Sequence, residues 1–211
     1  MLDEIIPIFP STIATTRVDI DFDRLLGDRE WVWTGALRGI APHERVYQAN
    51  SDIAQRTEDV HVLSDFPEIR EALIASMMDY SVKVLQQYQL ELTMTTSWIT
   101  RTKPGGFSAR HHHSNSWLSG VWYPEASSTI TFTSPMRSTI LPNEPAEHNI
   151  YNSEAWTIKP ESNMLVIFPS YLQHQIDLND TDDIRYSLAF NTFPVGTFGV
   201  GDSTLRVDDV G

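Results

Sequence analysis

FPSYLQHQIDLNDTDDIRYSLAFN, residues 168–191, holds two runs in which polar and apolar side chains alternate, LQHQIDL (172–178) and the start of IRYSLAFNTF (184–193). The break between them, NDTDD, is rich in turn formers. Alternation with a period of two marks a strand with one face buried, and a short Asn/Asp break marks a turn between strands. Further runs of the same texture lie upstream: LTMTTSWIT (92–100), SWLSGVWY (116–123), STITFTS (128–134), AWTIK (155–159) and NMLVIF (163–168). A long polar connector, 135–153, separates two of them. Short strands at this spacing predict a β-sandwich or barrel.

Before residue 92 the texture differs. Ile69, Leu73, Met77, Tyr80 and Val84 recur every three or four residues, the spacing of one helix face. Asp65 is a candidate cap, Pro67 suits a first turn, and Glu68 lies at capping-box distance from Asp65, so a helix is predicted from about Asp65 to Tyr88. A weaker helical signal covers 52–57, and a helical turn is expected near Phe22–Leu26. The fold class that follows is mainly β with a helical N-terminal part (α+β): a double-stranded β-helix, or jelly roll, with helices packed on one sheet. No repeat or linker divides the chain, so 1–211 reads as a single domain, with 1–90 a helical cover, 91–194 the barrel strands and 195–211 a tail.

Composition narrows the function. The 211 residues are 41% hydrophobic and 20% charged, a globular balance, and no apolar run is long enough to span a bilayer. The N-terminus lacks the basic segment of a secretory or transit sequence, which makes the cytoplasm the expected location. A net charge of −13 disfavours nucleic acid as a partner. With no cysteine, any metal must be held by His, Asp or Glu.

Three histidines are consecutive, His111, His112 and His113, just before the run that begins near Ser116. In extended backbone His111 and His113 share a face, and two neutral imidazoles there suit Fe(II), Zn, Cu or Ni; the other reading is a solvated polar loop. Downstream, Arg185 and Ser187 share a face of their strand. A guanidinium fork with a hydroxyl two residues on forms a carboxylate clamp; alternatively, Arg185 balances Asp182 and Asp183 at the surface. His43, His61 and His148 lie outside these motifs and read as structural or solvated. The basic, Gly-rich segment RTKPGGFSAR, 101–110, reads as a cover at the mouth of the barrel that would favour an anionic group or, on the other reading, as a solvated flexible loop.

In order along the chain, HHHSNSWLSGVWY, FPSYLQH and IRYSLAFN resemble the signatures of the bacterial and phage 2-oxoglutarate/Fe(II)-dependent oxygenases, over roughly residues 92–194. The resemblance implies an oxidoreductase on a jelly roll, with Fe(II) as cofactor and 2-oxoglutarate as co-substrate. It implies hydroxylation of an unknown substrate with release of succinate and CO2, and no catalytic side chain beyond the metal site. By position it makes His111 and His174 metal ligands, Arg185 the clamp for the 5-carboxylate of 2-oxoglutarate and Ser187 its helper. Tyr123 would hydrogen-bond the co-substrate or, on the other reading, be a half-buried strand aromatic. Trp98 and Asn191 sit on strands expected to line the same cavity.

The chain departs from the superfamily pattern at one point. Two residues after the first histidine, where a carboxylate is usual, stands His113. This predicts a three-histidine site of His111, His113 and His174. The alternative puts His113 outside the ligand set, with Asn115 contributing an oxygen or ordering a water. Rival functions are a jelly-roll metalloprotein without 2-oxoglutarate chemistry, such as a three-His dioxygenase or a zinc hydrolase, and a non-catalytic ligand-binding module. The prime substrate and oligomeric state stay open at this level.

Overall fold

A computed structural model describes residues 3, 4, 7, 10–33, 53–135 and 145–208. The strands form two antiparallel sheets. The larger runs in the order β1 (Ala14–Arg17), β9 (Met164–Pro169), β6 (Leu118–Tyr123), β11 (Arg185–Phe198), β4 (Glu91–Thr102), β3 (Ala54–Thr57), β2 (Trp31–Trp33), with β12 (Leu205–Val207) paired to the far end of β11. The smaller runs β5 (Ser108–His111), β10 (His174–Ile176), β7 (Ile130–Thr133), β8 (Ala155–Ile158). Two helices are described, α1 (Phe22–Leu26) and α2 (Pro67–Lys83). The fold is the mainly β jelly roll with helices on one sheet.

The larger sheet is buried on both faces, and strand alternation sorts its residues. Leu188 and Phe190 of β11, Leu118 and Trp122 of β6 and Ile99 of β4 face α2, where they meet Leu73 and Met77. The opposite face carries Ala189, Val121, Tyr123, Val166 and Phe168, which pack toward Ile130 and Phe132 of the smaller sheet. A fully covered strand is apolar at successive positions, which is why LSGVWY in β6 has no polar alternation and is buried throughout. The lumen between the sheets is therefore lined by alternate residues of β11: Arg185, Ser187, Ala189 and Asn191.

Several sequence expectations shift. The 1–90 segment is not a purely helical cover, because β1, β2 and β3 extend both edges of the larger sheet. Residues 54–57 of the expected 52–57 helix are strand β3, paired with β4; so short a segment cannot sustain a helical nucleus, whereas the edge of β4 supplies ladder partners at once. Helix α2 starts later than Asp65. Asp65 belongs to a 3₁₀ turn, Phe66 is the N-cap without a side-chain bond, and Pro67 takes the first position. The helix stops at Lys83 rather than Tyr88, since the Ser81 carbonyl is taken by the amides of Leu85 and Gln87, with Gln86 at φ +55°. The 195–211 segment is not a tail throughout, as β11 continues to Phe198 and pairs with β12. Residue 52, His43 and residues 136–144 of the connector lie outside the described residues. Among the described residues no helix is long and apolar enough to cross a membrane.

The packing of α2 on the larger sheet depends on Gly120. A Cβ there would stand 2.7 Å from Met77 Cε and closer still to the Phe190 ring. Gly120→Ala should therefore lower stability by about 1–3 kcal/mol through overpacking, read as a lower denaturation midpoint with an unchanged slope.

Candidate metal centre

β5 and β10 are neighbours, and their register sets His111 directly opposite His174. The same row continues across the smaller sheet from His174 to Phe132 on β7 and Trp156 on β8. His113 lies two residues past His111, in irregular backbone, and its amide donates to the Ser170 carbonyl at 3.0 Å. One ligand nitrogen from each of His111, His113 and His174 falls within 4.8 Å of the others. The rings of His113 and His174 are parallel, 5.3 Å apart at 2°, and those of His111 and His174 are 4.4 Å apart.

Each strand histidine has its own support. His111 Nδ1 lies 2.7 Å from the Ala109 carbonyl and His174 Nδ1 lies 3.0 Å from that of Leu172. Donation from Nδ1 fixes the tautomer and leaves each Nε2 lone pair free, the state in which a metal binds imidazole. His174 is 2% exposed and packs against Phe168 and Phe132. His111 sits at the exposed rim, and His113 stacks on Trp98 with centroids 5.8 Å apart. Burial, followed by the neighbouring imidazoles, pushes His113 down to about 3; burial, then His111, takes His174 to about 4. Partial desolvation of its ring lowers His111 too, although the residue as a whole is exposed, against the raising effect of the Ala109 carbonyl. All three rings are thus neutral at pH 7.

The segment that carries β5 is pinned rather than loose, a correction to the reading of 101–110 as a solvated loop. β4 runs to Thr102 and β5 begins at Ser108. Between them, buried Asn179 exchanges two backbone bonds of 2.7 Å with Gly105 and Gly106 and donates its side-chain amide to the Thr102 and Asp183 carbonyls. Gly105 has φ +78°, and a Cβ on Gly106 would collide with Ile53 and Thr102, so the glycines serve a tight turn. Asn179 carries no signal in the sequence beyond membership of a turn.

On the lumen face of β11, at the end nearer Asp177, lies Arg185, whose guanidinium donates to the Asp177 carbonyl at 3.1 Å. It is not the surface partner of Asp182 and Asp183, and burial lowers its pKa against the raising pull of Tyr123 and Asp177. Tyr123 is fully buried, its pKa is raised by burial, and its hydroxyl has no hydrogen-bond partner among the described residues. Thr102, opposite Arg185 on β4, has a second buried hydroxyl without a partner there. Ser187, partly buried, shares their face. Two hydroxyls without partners among the described residues and a guanidinium, on neighbouring strands at this end of the lumen face, are groups of the kind that hold a carboxylate.

Asp177 is outside the histidine cluster. Burial opposes its charge, but hydrogen bonds from Gln175, Thr129 and Thr131, with Arg185 nearby, hold its pKa below the ordinary value. Asn115 is exposed in the turn after His113. His61 and His148 are exposed and apart from the cluster. Asn191 lies on the lumen face within a network with Ser119, Ser170 and Thr96. Sequence reasoning misses Ser119 and Ser170, although both stand inside the matched motifs SGVWY and FPSYLQH.

Residues 96–191 match the family model described as "Putative 2OG-Fe(II) oxygenase". This segment belongs to the 2-oxoglutarate/Fe(II) oxygenases. The oxygenase segment runs from β4 to the lumen stretch of β11 and contains all three clustered histidines, Tyr123, Arg185 and Ser187. Among solved structures, the non-heme alpha-ketoglutarate-dependent epimerase SnoN from nogalamycin biosynthesis is similar at a TM-score of 0.58 and 13% identity, over 89% of this chain and 81% of that one. HygX from Streptomyces hygroscopicus, with nickel, 2-oxoglutarate and hygromycin B bound, is similar at 0.52 and 12%, over 87% and 83%. At such identities the likeness is one of fold. No curated protein sequence matches this chain.

The orphaned Tyr123 hydroxyl has a consequence for the ligand-free protein. Removing a buried donor that lacks a partner relieves a desolvation penalty, so Tyr123→Phe should raise unfolding stability by about 1 kcal/mol, seen as a higher midpoint in denaturant.

Proposed function

We propose that this chain is a cytoplasmic Fe(II)- and 2-oxoglutarate-dependent dioxygenase acting as a single catalytic unit on a small-molecule or other non-nucleic-acid substrate. His111, His113 and His174 would hold Fe(II) through their free ring nitrogens, and Arg185, with Ser187 and Tyr123, would hold the 5-carboxylate of 2-oxoglutarate. The observation that carries this reading is the pairing, in one lumen, of three clustered imidazoles with a partly buried guanidinium beside hydroxyls that lack partners among the described residues. Bound there, Fe(II) with 2-oxoglutarate supplies oxygen activation coupled to loss of CO2 and formation of succinate, with substrate hydroxylation as the outcome.

The chain's own residues do the rest. The β5–β10 register brings His111 and His174 together without a loop rearrangement. Arg185, held by the Asp177 carbonyl, fixes the far end of a dicarboxylate, so the co-substrate would be oriented at both ends. Phe132, Phe168 and Val166 give the lumen apolar walls, and a less polar surrounding strengthens a guanidinium–carboxylate attraction. With His113 in place of a carboxylate, the protein ligands would contribute no negative charge, and because Arg185 takes the 5-carboxylate, the site would keep one unit more positive charge than a two-histidine, one-carboxylate site.

Aerobic incubation with Fe(II) and 2-oxoglutarate should yield succinate, with none formed after chelation. Arg185→Ala should weaken 2-oxoglutarate binding at least ~30-fold, the lower end of about 2–5 kcal/mol for breaking a buried charge pair, while metal affinity stays within about threefold. Titration calorimetry on each ligand separates the two. Equal losses for metal and co-substrate would contradict the clamp, and absence of Fe(II)-dependent 2-oxoglutarate affinity would favour a binding module.

A further inference from the structure

We propose that Ser170, acting with Ser119 and Asn191, is a positioning residue that sets His113 in the metal centre; the proposal rests on the three-histidine reading above. His111 and His174 are strand residues paired across a ladder, and each has a ring nitrogen bonded to a carbonyl. His113 has neither support. It follows the end of β5, and its placement depends on the 3.0 Å bond from its amide to the Ser170 carbonyl and on the Trp98 stack.

Ser170 is fully buried and tied on three sides. Its carbonyl receives the His113 amide, its own amide donates to the Trp117 carbonyl at 3.0 Å, and its hydroxyl lies 2.8 Å from that of Ser119. Ser119 donates to Asn191 Oδ1 at 2.8 Å, and Asn191 Nδ2 donates to Thr96 Oγ1 at 3.0 Å. The chain of bonds ends at a β-bulge. Asn191 pairs with Thr96 and Thr192 with Met94, which leaves Thr95 as the extra residue, its hydroxyl 3.3 Å from the Asn191 carbonyl.

A bulge in an otherwise regular ladder re-aims the side chains beside it. Here it stands beside Asn191, whose amide both accepts from Ser119 and donates to Thr96. Each buried polar group in the relay has a partner, and a satisfied buried network holds one geometry. The relay also joins the two segments that must agree, since Ser170 precedes His174 by four residues and its carbonyl meets His113. Without the hydroxyl link, the Ser170 peptide keeps its amide bond to Trp117 but loses its side-chain tie to Ser119, so the carbonyl that anchors His113 is held less rigidly.

The test is a double-mutant cycle on Cu(II) affinity of the purified full chain, because Cu(II) is the divalent ion that a two-histidine remnant still holds measurably. Ser170→Ala should weaken Cu(II) binding roughly 10- to 100-fold, the range for partners that orient metal ligands, and Ser170→Thr should restore it. In a His113→Ala background, Ser170→Ala should change affinity by less than about twofold, since the residue it positions is gone. An equal loss in both backgrounds, or no loss in either, overturns the proposal. If circular dichroism shows Ser170→Ala unfolded, Ser119→Ala enters the same cycle with the same criteria. Should the parent chain bind Cu(II) no more tightly than His174→Ala, the metal-centre reading itself fails and the proposal with it.

Discussion

The cross-strand pairing of His111 with His174 is the constraint on which the rest of the site depends. β5 and β10 are short, four and three residues, so the pair cannot rely on strand length for its register. The register comes from outside the ladder: Asn179 pins the Gly105–Gly106 turn that leads into β5, and β7 continues the row on the other side of β10. Once that row is set, both imidazoles point into the lumen, each with Nδ1 held by a carbonyl two residues earlier in its own segment. His113, beyond the strand end, needs a second set of restraints from Ser170 and Trp98.

The larger sheet supplies the other half of the chemistry by being covered twice. Its outer face is sealed by α2, with Gly120 allowing Met77 and Phe190 to approach. That leaves alternate residues of β4, β6 and β11 to line the lumen, apolar in the middle and polar toward both ends. Arg185, Tyr123 and Thr102 form one polar end, and Asn191, Ser119, Ser170 and Thr96 form the other. Among the described residues the first has partnerless hydroxyls and the second has none, the contrast that the proposed function requires of a carboxylate-holding end and a self-satisfied end.

Much of this architecture is legible in the amino-acid sequence. Alternation and turn residues identify seven of the strands from Leu92 to Phe193, and H-x-H, the distal His174 and Arg185-x-Ser187 name the polar groups of the lumen. The features that are not legible share a cause. β1, β2 and β3 are three or four residues long, with sequences such as AQRT that carry no period; pairing to an existing sheet edge decides them, not local propensity. The pinning role of Asn179 and the relay through Ser119 and Ser170 are tertiary in the same sense, since each joins residues far apart in the chain, 77 positions between Asn179 and Thr102 and 51 between the two serines. Thr102 stays hidden because nothing in a strand threonine shows that its hydroxyl will be buried without a partner.

The central claim is that three histidines and Arg185 bind one Fe(II)–2-oxoglutarate unit. Anaerobic addition of Fe(II) to the protein in the presence of 2-oxoglutarate, followed by visible absorption, tests it most directly, because chelation of the metal by the keto acid produces a charge-transfer band. The expected result is a band that saturates at one equivalent of Fe(II), is absent in His174→Ala and requires far more 2-oxoglutarate in Arg185→Ala. A parent protein that binds Fe(II) but develops no such band at saturating 2-oxoglutarate would contradict the claim.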